Sequence, residues 1–246
     1  MFTPDFSKIN ATVILAALGQ AFFTLSLGMG AIMAYGAYMP ANQNIGSTAL
    51  SVAFLDTLVA ILAGIAIFPI VFANNLEPAA GPGLVFVTLP WAFANMPLGL
   101  IFGKLFFVLL SIAALSSAIS LLEPGVAWIV ESFKTKRYIA SGGLGLIAWT
   151  LGILSALSFN LIADFTPIGD RNFFDSMDFL SNQVLLPLGG ILIAIFVAWV
   201  MKREHVLDEL EIKEGWLLNT WFILLKFLSP LMVGIVFVAA VFFGVT

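Results

Sequence analysis

Three groups of residues in this chain have types and spacings that suit chemistry. The first is the run Gly19-Gln20-Ala21-Phe22-Phe23-Thr24-Leu25-Ser26-Leu27-Gly28-Met29-Gly30, where two glycines two apart follow a hydroxyl-bearing apolar stretch. Glycine pairs weaken a helix, and unwinding around 26–30 would release backbone N–H and C=O groups beside two half-helix ends of opposite partial charge. Such a break suits a carboxylate and small cations together. Close packing against a neighbouring helix is the other use for Gly28 and Gly30. The second group is Asp56, flanked by Val52–Leu55 and Leu58–Leu62. A carboxylate in hydrocarbon costs on the order of 2.5–3.5 kcal/mol on insertion scales, so it calls for a cation, a proton or a polar cavity. A position near a helix end, reaching headgroup water, would also serve. The third is Ala113, Ser116, Ser117 and Ser120, with Ala113/Ser117 and Ser116/Ser120 four apart and therefore on shared helix faces. Hydroxyl and carbonyl oxygens suit a hard cation; bonds to the helix's own carbonyls or small-residue packing are the alternatives.

Other polar groups carry less. Asp164, Asp170, Asp175 and Asp178 cluster between apolar runs, and only Asp178, where the next run begins, is placed to face a cavity mouth. Glu123 directly precedes Pro124 near the inner end of its run, where a structural role stands beside a functional one. His205 is the single histidine, in a charged stretch, and one histidine cannot anchor a metal site. No nucleophile triad, phosphate loop or metal-spaced cluster occurs. Asp56 and Glu123 as an intramembrane acid pair would lack a companion nucleophile, so no enzyme is expected.

The elements that must position these groups are membrane helices. Of 246 residues, 61% are apolar and 10% charged, with mean hydropathy +1.08, whereas soluble domains carry about 25% charged residues. Lipid is the solvent that such a surface requires. The net charge of −4 gives no sign of a nucleic-acid partner, and the absence of cysteine excludes disulfides. No basic stretch precedes the first apolar run, so Met1–Ala11 is not expected to be a signal peptide.

Six apolar runs, about 11–39, 49–72, 98–130, 139–161, 179–201 and 217–245, each reach the ~20 residues that cross the bilayer. The segment 81–97, broken by Pro82, Pro90 and Pro97, reads as a surface hairpin of short helices. As one helix 11–39 would span ~43 Å, so a break at the glycines is expected, and 98–130 must tilt or project. Lys134, Lys136, Arg137, Lys202, Arg203 and Lys213 fall on one side of alternating spans. Lys8 and Arg171 fall on the other, beside Asp5, Glu77, Asp164, Asp170, Asp175 and Asp178. The positive-inside rule places the first group in the cytoplasm and both chain ends outside. No low-complexity stretch or 20–50-residue repeat is present. The fold expected is an all-α, polytopic membrane helical bundle forming a single transmembrane domain with a discontinuous first span.

With these motifs in view, the chain is identified as resembling the neurotransmitter:sodium symporter family, of LeuT fold. Gly19–Gly30 resembles its sixth transmembrane segment. Asp56-Thr57-Leu58-Val59-Ala60 through Gly64-Ile65-Ala66-Ile67-Phe68-Pro69 is similar to bacterial forms of the seventh. Gly81-Pro82-Gly83-Leu84-Val85-Phe86 resembles the hairpin over the outer vestibule, and Leu115-Ser116-Ser117 through Glu123-Pro124 the eighth. The likeness runs through the whole chain but covers only segments six to eleven, the second inverted repeat and one further helix.

The resemblance implies sodium-coupled symport of an amino acid across the plasma membrane. Thr24 and Asp56 correspond to ligands of a first sodium, and Ala113 (through its carbonyl), Ser116 and Ser117 to ligands of a second. Phe23, Thr24, Ser26, Met29, Ser117 and Leu121 correspond to the substrate site, Phe174 and Asp178 to the outer gate, and Tyr38 and Glu131 to the inner gate. Met29, where some members place an aromatic ring, favours with Phe23 and Leu121 a hydrophobic or aromatic substrate. Asp56, where many members have Asn, implies independence of chloride. Half of each site and the gate arginines would come from spans one to five, in the same chain or a separate one. The alternative is a truncated, non-transporting membrane subunit without complete sites.

Overall fold

The structure is a computed structural model and describes residues 6–40, 43–73, 81–210 and 215–243. Asp5, Glu77 and Lys213, which entered the charge comparison above, lie outside these residues, as do both chain ends. Among the described residues the regular structure is helical, apart from an isolated bridge pairing Ile168 with Arg171. The helices are α1 (Ala11–Thr24), α2 (Ala31–Ala37), α3 (Ile45–Ala73), α4 (Leu84–Ala94), α5 (Gly99–Phe133), α6 (Arg137–Leu157), α7 (Phe173–Val200), α8 (Arg203–Leu210) and α9 (216–243). Helices α3, α5, α6, α7 and α9 are each long and apolar enough to cross a membrane. The first span is divided between α1 and α2, as its glycines predict.

Local chemistry sets the helix starts. Asn10 accepts from the Val13 N–H at 3.0 Å, Asn44 from Ser47 at 2.9 Å and Asn172 from Asp175 at 2.9 Å. Each amide oxygen thereby satisfies one of the donors a helix N-terminus leaves open. Because Asn172 caps α7, that helix begins six residues before the apolar run does, and Asp175 and Asp178 become helical rather than loop residues. Helix α6 ends at Leu157, before the apolar run does. There the buried Ser158 donates to the Ser155 carbonyl at 2.7 Å and accepts from the Phe174 N–H at 3.2 Å, joining the end of α6 to the start of α7.

Three of the four wide π-helical turns among the described residues, Leu84–Thr88, Phe179–Leu185 and Leu224–Leu228, are each followed two residues later by a proline, Pro90, Pro187 and Pro230; the fourth, Phe196–Val200, ends α7. Proline lacks an N–H and its ring crowds the carbonyl four residues back, and a widened preceding turn relieves that crowding.

The chain forms two compact units, one from residues 50–119 and the other from 6–49 with 120–243. In the first, Val71, Leu89 and Phe93 form the core, with Ile67, Leu84, Met96 and Phe106 around it. The segment read as a hairpin of short helices is the single helix α4, turned back into α5 at 95–98. A side chain on Gly99 would overlap the Phe93 carbonyl, and one on Gly103 would meet the Phe93 ring at 3.4 Å, so glycine lets α5 start against α4. In the second unit α9 packs along α7, and both touch α1. Most large apolar side chains on the long helices point outward, as lipid solvation allows.

Candidate functional site

The break in the first span occupies six residues, 25–30. The end of α1 first tightens, with the Ser26 N–H on the Phe23 carbonyl at 3.0 Å, then loosens, with Leu27 reaching back to Phe22 at 3.0 Å. Ser26, Gly28 and Gly30 follow in left-handed conformations, at φ 52°, 84° and 80°. Serine pays for that geometry and glycine does not. Helix α2 then starts, with Ala34 bonded to the Gly30 carbonyl at 3.0 Å. Both readings of the glycines therefore hold at once. Gly28 adopts the positive φ, and it also lies against α7, where an added Cβ would overlap the Leu186 carbonyl and sit 2.8 Å from the Gly190 nitrogen. A Cβ on Gly189 would overlap the Gly28 carbonyl, and one on Gly190 would approach the Phe22 ring to 2.9 Å. Non-helical backbone at membrane depth is thus sheltered by protein, the condition under which it is tolerated.

Around the break, Phe23 and Thr24 are exposed and Ser26 and Met29 half-buried. The Thr24 hydroxyl reaches the Ala21 carbonyl at a long 3.4 Å, which leaves its oxygen open to another partner.

Helix α2 is tied to the second part of α5 by two tyrosines. Tyr35 Oη donates to Ser120 Oγ, and Tyr38 Oη donates to Glu123 Oε1 at 2.9 Å. Arg137, the first residue of α6, donates to the other oxygen, Glu123 Oε2, at 2.5 Å. One carboxylate thus joins three helices. The two residues expected at an inner gate have different surroundings: Tyr38 bonds Glu123, and Glu131 lies exposed two turns further along α5. Tyr35 and Arg137 escaped the sequence reading. The signal was present in matched spacing, because Tyr35/Tyr38 and Ser120/Glu123 are both i,i+3 pairs and so form two rungs on facing helices.

Within the unit 50–119, Asp56 is half-buried on α3, and the neighbouring Thr57 hydroxyl bonds the Ala53 carbonyl at 2.9 Å. On α5 the Ser116 hydroxyl donates to the Ala113 carbonyl at 2.9 Å. The bond to the helix's own backbone is therefore present, and it brings together the two oxygens that the resemblance assigns to one sodium. Ser117 is exposed on the same helix.

Near the N-terminal start of α7, Asp178 Oδ1 accepts from Asn182 Nδ2 at 2.6 Å. Phe174, one turn earlier, packs on Phe159 at 5.1 Å between ring centres. The Arg171 guanidinium lies 4.3 Å over the Phe179 ring, while Asp164 and Asp170 are solvent-exposed loop residues. Gln183 was also missed: its side-chain oxygen is buried without a hydrogen-bond partner among the described residues. An apolar cavity of about 900 Å³ beside Phe93, Gly99 and Phe107 contains none of the candidate residues.

Comparison with known proteins fits this arrangement. The profile of the sodium:neurotransmitter symporter family matches residues 1–244. The crystal structure of MhsT in complex with L-phenylalanine superposes with a TM-score of 0.88 at 47% identity, covering 98% of this chain and 55% of that one. An uncharacterized sodium-dependent transporter of Bacillus subtilis, YhdH, is 38% identical over 96% of this chain and 53% of its own length. The sodium-dependent nutrient amino acid transporter 1 of Drosophila erecta is 26% identical, over 94% of this chain and 36% of its own length. The chain spans about half the length of the bacterial relatives it matches.

Proposed function

Because the chain belongs to the sodium:neurotransmitter symporter family, we propose that it is the second half of a sodium-driven amino-acid symporter working by alternating access. The observation that carries this reading is the break at 25–30, with three left-handed residues in an otherwise helical span. It sets α1's C-terminal end and α2's N-terminal end beside each other, the pairing that suits a zwitterion and a cation. In this reading Thr24 and Asp56 contribute to a first sodium site and the Ala113 carbonyl, Ser116 and Ser117 to a second. Phe23, Ser26, Met29, Ser117 and Leu121 line the substrate site.

The substrate proposed is a hydrophobic or aromatic amino acid. Phe23, Met29 and Leu121 are apolar, and a relative 47% identical binds L-phenylalanine. Asp56 supplies a negative charge next to the first sodium, so chloride is not required. The basic ends of the spans face the cytoplasm. Tyr38, with Glu123 and Arg137, holds α2 on the inner side, while Phe174 and Asp178 stand at the outer side; Glu131 awaits a cationic partner. The missing helices, in cis or in trans, complete both sodium sites.

The test is uptake of labelled tryptophan, tyrosine and leucine by this chain with the first five spans supplied, in sodium against potassium medium. Saturable, sodium-dependent uptake is expected. Its absence with all spans present overturns the reading in favour of a non-transporting subunit.

A further inference from the structure

Lys226 lies within the apolar helix α9, about 15 Å along it from Trp216 at the helical rise. No carboxylate pairs with it among the described residues. Its Nζ instead stands 4.1 Å over the Trp199 ring of α7 and 5.7 Å from the Phe227 ring, and Trp199 and Phe227 meet edge to face at 6.0 Å. A lysine placed this deep extends its apolar stem toward the interface. Nearby on the same seam, Arg203 bonds Asn219 at 2.5 Å and covers the Phe222 ring at 5.2 Å. Both cations thus lie at the end where α7 finishes and α9 starts.

Immediately alongside is an apolar cavity of about 320 Å³. It extends from Gly190 and Val233 to Val197, Trp221 and Leu225. Trp221 adjoins Phe222 and Leu225 adjoins Lys226, so its walls continue into the cationic end. Ser26, Gly28 and Gly30 of the break form its other wall, so it shares Ser26 with the proposed amino-acid site, but Phe23, Met29 and Leu121 do not line it and the cavity lies on the α7–α9 side of the break.

A cationic, tryptophan-rimmed interface above a hydrocarbon slot has the chemistry of an anionic phospholipid: headgroup phosphate on the cations, acyl chain in the slot. We infer that the α7–α9 seam binds an anionic phospholipid of the cytoplasmic leaflet, with Lys226 as the principal headgroup contact and Arg203 beside it. The leaflet, though not the binding, rests on the orientation proposed above.

The full chain, purified in detergent, is titrated with brominated phosphatidylglycerol and, separately, brominated phosphatidylcholine, and tryptophan quenching is followed. Phosphatidylglycerol should be preferred, by about fivefold for one interfacial cation. Lys226→Arg should keep the preference, whereas Lys226→Gln and Trp199→Phe should bring the two lipids close together. Equal quenching in the unaltered chain, or a preference that survives Lys226→Gln, overturns the proposal. Because the chain lacks cysteine, His205→Cys reports sidedness separately. Labelling by an impermeant maleimide only after permeabilisation is expected, and labelling in intact cells overturns the cytoplasmic leaflet while the quenching result still decides binding.

Discussion

Tyr38 Oη donates to Glu123 Oε1 at 2.9 Å, and the other oxygen of the same carboxylate takes Arg137 at 2.5 Å. The C-terminal end of α2 is therefore held to α5 and, through one carboxylate, to α6. Freeing α2 without disturbing the glycine break requires release of Tyr38 from Glu123 and of Tyr35 from Ser120.

Separating the two bonds should separate their effects. Glu123→Gln retains an acceptor for Tyr38 and loses the ion pair, while Tyr38→Phe does the reverse. Arg137 is largely exposed, so the ion pair should contribute little, and the tyrosine bond should be worth roughly 0.5–1.5 kcal/mol. Thermal melts of the single and double variants in detergent, read as a double-mutant cycle, measure both. A melting temperature unmoved by Tyr38→Phe would show that α2 does not depend on this bond.

At the break, Gly28→Ala should be among the most disruptive single changes in the chain. It combines a positive φ of 84° with overlap against the Leu186 carbonyl. The strain alone is worth about 1–3 kcal/mol, and backbone overlap adds to it. Gly189→Ala should be comparably severe, whereas Gly142→Ala, in open space on α6, should be neutral or stabilising by roughly 0.5–1 kcal/mol. Expression and melting of the three variants check this ordering.

For ion coupling, Asp56 should make the completed transporter indifferent to anions. Replacing chloride by gluconate should leave sodium-driven uptake unchanged, and Asp56→Asn should make uptake require chloride. Collapse of unaltered uptake in gluconate would refute the assignment.

Sodium affinity should fall by about tenfold, or ~1.4 kcal/mol, in Ser116→Ala and in Thr24→Val. Each removes one neutral oxygen ligand while preserving shape. The check is the sodium concentration at half-maximal uptake in the completed transporter. If it stays constant in both variants, the oxygens assigned to sodium are the wrong ones.

Much of this was legible in the residues alone. Composition required a lipid solvent, because side chains this apolar cannot be hidden in a soluble fold. The two glycines at 28 and 30 marked the break, because left-handed backbone is a local preference that glycine states directly. Asp56 and the Ser116/Ser117 pair stood out because polar groups are conspicuous in apolar helices. What the tertiary structure alone decided is how these local features are partnered. Asn172 starts α7 earlier than hydropathy does, since a cap outranks an apolar boundary. Glu123, read as structural or functional, became the junction of three helices once Tyr38 and Arg137 were brought to it from 85 and 14 residues away. Gly28 proved to be both a left-handed residue of the break and a contact with Leu186, Gly189 and Gly190. Backbone preference and solvent are properties of a residue and its immediate neighbours, and so can be read in order. A hydrogen bond or close backbone approach between distant segments exists only after the helices have packed.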